Sequence, residues 1–146
     1  MLLKRILTSY YNNVWNRRDY RLLGYLFADH CVVNYINKLE STSVRQTPYD
    51  IRKSIVMWVT IFPDLRVTIK NIISNKEYVS AHCQFTGRHT GKWMDIEPTD
   101  KSINIEIFTV FKVEGGKICE QWVQVDVDDV LDQILNANKK KLVYEA

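Results

Sequence analysis

The sequence is poor in the residues that mark disulfide frameworks, linkers and membrane spans. It has three cysteines, three prolines and five glycines in 146 residues. Cys31, Cys83 and Cys119 are odd in number, far apart and without Cys-x-x-Cys spacing, which argues against a disulfide framework and favours a reducing cytoplasm. No apolar run approaches the roughly 20 residues that cross a bilayer. We therefore predict a cytoplasmic protein without a membrane partner.

The chain also lacks a large excess of charge of one sign. Twenty basic residues against seventeen acidic ones give a net charge of +3, and the three lysines at positions 139–141 supply the whole excess. The body of the chain lacks the electrostatic footprint of a nucleic-acid-binding protein. The chain length and the lack of a Pro/Gly-rich linker predict one domain over residues 1–136, followed by a basic tail over residues 137–146.

Apolar residues recur at three- and four-residue spacing in the first half of the chain and predict three helices. The segments are residues 3–15, 22–27 and 51–62. Asp19 can cap the second helix, which Asp29-His30 would close. Thr47 and Pro48 have the pattern of an N-cap followed by proline at the first helical position. A strand is predicted over residues 31–35 and a loop over residues 37–46.

From Leu65 onward the period of the apolar side chains falls from about 3.6 to 2, which indicates strands. The predicted strands cover residues 65–73, 78–89, 102–113 and 117–126, and a short helix covers 127–135. Gly115-Gly116 forms the tight turn before the last strand. We predict an α+β fold, in which a curved, cone-shaped antiparallel sheet carries the three helices of the N-terminal half on its concave face and leaves a cavity between them.

The last predicted strand offers the best candidate for chemistry. Alternate side chains Trp122, Gln124 and Asp126 share one face. If this face is the inner wall of the cavity, desolvation raises the pKa of the Asp126 carboxyl and makes it a useful acid or base near neutral pH. The alternative is that Asp126 is the N-cap of the helix that follows.

Two further groups on the predicted strands could act in the same cavity. His82 lies in the polar face of its strand and is a general acid/base, an orienting hydrogen-bond donor or a hydrogen-bonded structural residue. Glu106 is costly to bury unpaired, so it faces solvent, a subunit interface or the cavity. The three histidines and three cysteines show no metal-ligand spacing, so no metal site is predicted.

Four stretches resemble the SnoaL-like polyketide cyclase family, which belongs to the nuclear-transport-factor-2-like and ketosteroid-isomerase-like superfamily. They are residues 11–16 with the segment 19–28, Phe-Pro-Asp-Leu at 62–65, Gly-Arg-His-Thr-Gly at 87–91 with Pro98-Thr99, and Gly-Lys-Ile at 116–118 followed by Glu120, Trp122, Asp126 and Gln133. Two positions depart from the family pattern. Asp100 replaces the glycine that usually follows Pro-Thr, and Asn34 replaces a histidine.

The resemblance implies an intramolecular aldol cyclisation or a proton transfer next to a carbonyl, without metal or cofactor, with Asp126 as the general acid/base. It also implies a homodimer, which we expect to form through the outer face of the sheet. The predicted partner is a small, apolar, carbonyl-containing ligand. A non-catalytic ligand-binding or interaction domain on the same fold is the alternative. With Asp126 and His82 as the catalytic residues, the predicted substrate-binding residues are Asn34, Trp58, Gln124, Trp122, Glu106 and Phe108.

Overall fold

A computed structural model describes residues 2–37 and 41–135. The predicted basic tail lies outside these residues. The helices are α1 (Leu2–Ser9), a π-helical segment (Tyr10–Asn16), a 3-10 turn (Tyr20–Leu22), α2 (Leu23–Leu26), α3 (Pro48–Ile61) and α4 (Val127–Leu135). The strands are β1 (Phe27–Ile36), β2 (Ser41–Gln46), β3 (Arg66–Asn75), β4 (Tyr78–Arg88), β5 (Ser102–Glu114) and β6 (Lys117–Gln124). Among the described residues, no helix is long and apolar enough to cross a membrane.

The first predicted helix is α-helical only in its first half. Its second half is the π-helical segment, whose wider turns place Tyr10, Tyr11, Val14 and Trp15 together on the buried side. Arg18 secures the end of the segment, because its guanidinium donates hydrogen bonds to several carbonyl oxygens. These carbonyls belong to Trp15, Asn16, Pro63 and Leu65.

The second predicted helix is shorter than expected. The helix α2 ends at Leu26, and β1 begins at Phe27, so Asp29 and His30 lie in the strand instead of closing a helix. Phe27 pairs with Ile118 of β6, and this tertiary pairing outweighs the local helical pattern. Asp19 makes no capping hydrogen bond.

The helix α3 begins as predicted. Thr47 Oγ1 accepts a hydrogen bond from the Asp50 N–H at 3.2 Å, and Asp50 Oδ2 accepts one from the Thr47 N–H at 3.0 Å. This reciprocal capping box satisfies two N–H groups that the helix itself leaves unpaired. Pro48 occupies the first turn, where a missing N–H costs nothing.

The six strands form one sheet in the order β2-β1-β6-β5-β4-β3. The α+β fold class is confirmed, but the sheet is mixed instead of antiparallel, since β1 pairs with β6 in the parallel direction. The strand β2 lies in the segment predicted as a loop, and pairs with β1 from Cys31↔Gln46 to Ile36↔Ser41. Its residues are polar because it is an edge strand with little buried surface. The π-helical segment and α3 pack on the inner face of the sheet, and Gln133 of α4 is hydrogen-bonded to the backbone of β5 at Asn104.

Candidate functional site

A cavity of about 100 Å³ lies between the inner face of the sheet and the helices. Its walls are mostly aliphatic and aromatic. The sheet contributes Val33, Tyr35, Phe85, Ile103, Ile105, Ile107, Thr109, Gln121 and Val123, and the remaining walls include Tyr10, Tyr11, Trp15, Ile51, Ile55, Trp58, Leu65 and Val125. Such a surface favours an apolar ligand with a small number of polar groups.

The polar groups of the cavity are hydroxyls and amides. The Tyr11 and Thr109 hydroxyls form a hydrogen bond of 3.1 Å, and Gln46 Nε2 donates one of 3.4 Å to the Tyr35 hydroxyl oxygen. Gln121 is buried on the cavity side of β6. No three His, Cys, Asp or Glu side chains of residues 2–37 and 41–135 lie close enough together to hold a metal ion.

The phenols of Tyr10 and Tyr11 are kept neutral by their surroundings. Burial raises the pKa of each hydroxyl far above the ordinary tyrosine value, because a buried phenolate would lose its hydration. Neutral phenols donate hydrogen bonds near neutral pH. They can therefore bind a carbonyl oxygen and stabilise the negative charge that develops on it when an enolate forms.

Of the eight residues predicted for the site, Trp58 lines the cavity. Its ring stacks on Phe62 with centroids 6.2 Å apart and contacts Trp93 at 5.7 Å. Phe62 and Trp93 therefore support Trp58 from outside the cavity.

Trp122 and Gln124 lie on the outer face of β6, and the residues that face the cavity are Gln121, Val123 and Val125. A β-bulge explains the difference from the sequence expectation. Val113 pairs with Ile118 but Lys112 pairs with Glu120, so Cys119 is an extra residue. One extra residue turns every following side chain to the opposite face.

Asp126 lies beyond the end of β6 and is exposed to solvent. Its Oδ1 accepts a hydrogen bond from the Asp129 N–H at 3.1 Å, and its carbonyl oxygen accepts one from the Val130 N–H at 3.2 Å. Asp126 is therefore the N-cap of α4. It follows Val125, which lines the cavity, and its Oδ2 accepts no hydrogen bond from the described residues.

His82, Glu106 and Phe108 form a cluster on the outer face of the sheet. The His82 Nε2 and Glu106 Oε2 are hydrogen-bonded, and the imidazole stacks on Phe108 with centroids 4.6 Å apart and an interplanar angle of 9°. The structure brings these three predicted residues together, but away from the cavity. His82 and Asp126 are not brought together as an acid/base pair.

Asn34 also points away from the cavity, because its neighbours Val33 and Tyr35 face inward. Its Nδ2 donates a hydrogen bond to Glu120 Oε2 at 2.9 Å, and its Oδ1 accepts one from the Ser43 hydroxyl at 2.6 Å. Asn34 thus connects the central strand β6 to the edge strand β2.

The sequence reasoning missed the tyrosines and the tryptophan of the π-helical segment as site residues. Tyr10, Tyr11 and Trp15 belong to the apolar stripe of the first predicted helix, a pattern that indicates a buried face without showing that this face lines a cavity. Each is an aromatic side chain with a polar tip, and a buried polar tip needs a partner. Three polar groups on aromatic side chains within six residues of one buried stripe are the signal that could have identified these residues as part of the site.

The family model for the SnoaL-like polyketide cyclases matches residues 5–134. The chain belongs to this family. No curated protein matches the sequence. Among solved structures, the fold is similar to that of IdmH of Streptomyces antibioticus, a proposed polyketide cyclase, with 20% identity over 90% of this chain and 96% of that chain and a TM-score of 0.77.

Two other solved structures have the same fold at lower identity. A proposed SnoaL-like polyketide cyclase from Jannaschia sp. CCS1 is 14% identical over 92% of each chain, with a TM-score of 0.81. A protein of Catenulispora acidiphila with a ketosteroid isomerase-like fold is 17% identical over 88% of this chain and 90% of that chain, with a TM-score of 0.69. At such identities the likeness concerns the fold.

In this SnoaL-like chain, the Gly-x-His-x-Gly stretch docks a loop onto the end of α3. A Cβ on Gly91 would lie 1.8 Å from the Thr60 carbonyl oxygen, so only glycine fits. His89 is fully buried, and its Nδ1 accepts a hydrogen bond from the Thr99 N–H at 3.1 Å. The loop carries Trp93, which supports Trp58 in the cavity wall.

Proposed function

We propose that the cavity binds a small, apolar carbonyl compound and that the protein promotes its cyclisation or isomerisation by cofactor-free proton transfer next to the carbonyl. The observation that carries this proposal is an apolar cavity whose walls contain the neutral phenols of Tyr10 and Tyr11. Membership of the SnoaL-like family supports the same class of reaction. The volume of about 100 Å³ is below the roughly 300–1,000 Å³ of most ligand pockets, so the ligand is small.

The phenols supply one half of this chemistry. As a proton leaves the carbon next to the carbonyl, negative charge develops on the carbonyl oxygen. A hydrogen bond from a neutral phenol stabilises this charge, and one such donor lowers the barrier by about 3 kcal/mol. Tyr11 is oriented for this role by its hydrogen bond with Thr109.

In this proposal Asp126 is the general base that removes the proton. It directly follows Val125, which lines the cavity. Its Oδ1 caps α4, and its second carboxylate oxygen accepts the substrate proton. Asp126→Asn is an informative variant because asparagine caps a helix as well as aspartate does. The variant removes the base and keeps the cap.

The test needs no natural substrate. Cyclohexanone is dissolved in D₂O with the protein, and exchange of its α-protons for deuterium is followed by NMR. We expect the wild type to exceed the buffer rate, Asp126→Asn to lower the protein-dependent rate about a hundredfold, and Tyr11→Phe to lower it by a similar factor. Binding of cyclohexanone, measured by chemical-shift titration, should persist in Asp126→Asn. Equal exchange by Asp126→Asn and the wild type would contradict the role of Asp126.

Non-catalytic binding of the same class of ligand is a second candidate function. The observation that favours it is the composition of the cavity walls, which contain no carboxylate or imidazole among the described residues. Saturable binding of cyclohexanone by the wild type, with α-proton exchange at the buffer rate, is the outcome that this function predicts.

We further propose that the protein is a homodimer formed through the outer face of the sheet. Tyr78, Phe108 and Val110 lie on this face with 41%, 54% and 36% of their surface exposed, and Trp122 contacts Tyr78 there. We expect Phe108→Asp to convert a dimer to a monomer in sedimentation equilibrium. The matched control is Tyr25→Asp, which changes an exposed aromatic residue of α2 and should leave the mass unchanged. A monomeric wild type would contradict the proposal.

A further inference from the structure

The indole N–H of Trp15 is buried without a hydrogen-bond partner among the described residues. Only 8% of the surface of Trp15 is exposed. Most buried polar groups in proteins are hydrogen-bonded, and an unpaired buried donor costs about 1–3 kcal/mol. An indole N–H only donates, so the missing partner must be an acceptor.

Trp15 forms part of the cavity wall next to Tyr10. The two rings meet edge to face with centroids 6.4 Å apart. Burial is the main cause of the raised pKa of Tyr10, and the neighbouring Trp15 N–H acts in the opposite direction. The two groups are therefore neighbours, although their geometry falls short of a hydrogen bond. Together they offer two donors in the cavity wall.

The backbone around Trp15 is held firmly in place. Arg18 donates a hydrogen bond to the Trp15 carbonyl oxygen. The side chain of Asn16 donates to the Val67 carbonyl oxygen at 2.9 Å and accepts from the Val67 N–H at 2.7 Å. The ring of Trp15 packs against Phe85 at 5.2 Å. A donor fixed in this way needs no reorganisation when an acceptor arrives.

We infer that the Trp15 N–H joins the phenols of Tyr10 and Tyr11 in binding the carbonyl oxygen of the ligand, so that this oxygen points toward the π-helical segment. The inference rests on the proposed function and gives the orientation of the ligand in the cavity. Trp15 is then a specificity-determining residue, which selects a ketone over a hydrocarbon of the same shape. A site built to donate hydrogen bonds discriminates strongly against a ligand without the acceptor.

A pair of probes with the same shape tests this orientation. Cyclohexanone and methylenecyclohexane differ by an oxygen in place of a CH₂ group. We expect Trp15→Phe, which keeps a ring but loses the N–H, to weaken cyclohexanone binding about tenfold and to leave methylenecyclohexane binding unchanged. The control variant is Trp58→Phe, which should affect both probes equally. Dissociation constants come from chemical-shift titration.

Spectra of the wild type give a second measurement that does not depend on the folding of a variant. The Nε1–H resonance of Trp15, labelled with ¹⁵N, should move downfield on addition of cyclohexanone and stay in place with methylenecyclohexane. An equal loss of affinity for both probes in Trp15→Phe, or an unmoved resonance with bound cyclohexanone, would overturn the inference while the cavity remains a binding site. Binding of neither probe by the wild type would overturn the proposed function itself.

Discussion

His89 has its tautomer fixed by one backbone contact. Because Nδ1 accepts a hydrogen bond from the Thr99 N–H, the ring carries its N–H at Nε2, which is buried and has no partner among the described residues. The ring also packs on Phe62 at 5.8 Å. The residue is a structural support for the loop that carries Trp93.

We expect His89→Ala to destabilise the protein by about 2–4 kcal/mol, since it leaves a void and an unpaired Thr99 N–H. His89→Asn should lose less, because the Asn oxygen can take the position of Nδ1. Urea denaturation measures both variants. Equal stability of the Ala and Asn variants would show that the hydrogen bond to Thr99 contributes nothing.

Asp100 occupies a backbone position that suits glycine, with a φ of +62°. This is the position where the family usually has glycine, so the departure seen in the sequence has a structural cost. We expect Asp100→Gly to raise the free energy of unfolding by up to about 1 kcal/mol. The exposed ion pair with Arg88, at 3.4 Å, offsets little of this gain.

Asp100→Ala is the matched control for backbone strain. It also removes the ion pair, but it keeps a Cβ at positive φ. Its thermal midpoint should lie below that of Asp100→Gly, and the two midpoints would coincide if strain played no part.

At the scale of single elements, the capping box of α3 gives a pH-dependent contribution. The pKa of Asp50 is lowered, first by the hydrogen bond from the Thr47 backbone N–H and then by the Thr47 hydroxyl. A lowered folded pKa means that the contribution is present above the ordinary aspartate pKa of about 3.9 and is lost as pH falls through the folded value.

The wild type should therefore be more stable than Asp50→Asn at pH 7, and the difference should shrink below about pH 4. Urea midpoints at pH 7 and pH 3 measure it. Glu97→Gln, which alters an exposed ion pair with Lys92, is the control and should show a smaller change. A difference that stays constant with pH would contradict the role of the Asp50 charge.

The sequence predicted α3, α4 and the β3–β4 and β5–β6 hairpins because their signals are local. It could not predict which face of β6 lines the cavity. Without the bulge at Cys119, a regular hairpin from Glu114↔Lys117 would place Trp122, Gln124 and Asp126 on the inner face with Thr109. The bulge instead pairs Thr109 with Val123. Nothing in the local pattern of residues 117–126 marks the bulge.

At the scale of the whole molecule, the fold class was predictable and the strand order was not. Pairing of β1 with β6 joins residues from opposite ends of the chain, such as Asn34 and Trp122, and no periodicity reports such a contact. The strand β2 has too few apolar residues to be recognised. The cavity depends on both features, since Tyr35 of β1 faces it beside Val123 of β6 and Gln46 of β2 lines it.

The free cysteines report on the integrity of the whole core. Burial raises the pKa of the Cys31 and Cys83 thiols to about 12. We expect both to react with an aromatic disulfide reagent only as fast as the protein opens, and the partly exposed Cys119 to react first. Cys119→Ser should remove the fast phase. A fast phase that survives in this variant would show that the core is open to solvent.

The same thiols set an alkaline limit on stability. A raised folded pKa means that their contribution is fully present below the ordinary cysteine pKa of about 8.5 and is lost as pH rises toward the folded value. The urea midpoint of the wild type should therefore decrease as the pH rises above about 8.5. The double variant Cys31→Ala, Cys83→Ala should show a smaller fall between pH 8 and pH 10.

Of the strands in residues 2–37 and 41–135, β6 is the last to leave the ribosome, yet it lies between β1 and β5 in the finished sheet. The hairpin of β1 and β2 has no partner on its inner side until synthesis has passed Gln124. During that time its open edge can pair with another nascent chain. The hairpin of β1 and β2 is therefore exposed to aggregation with other nascent chains until β6 has been synthesised.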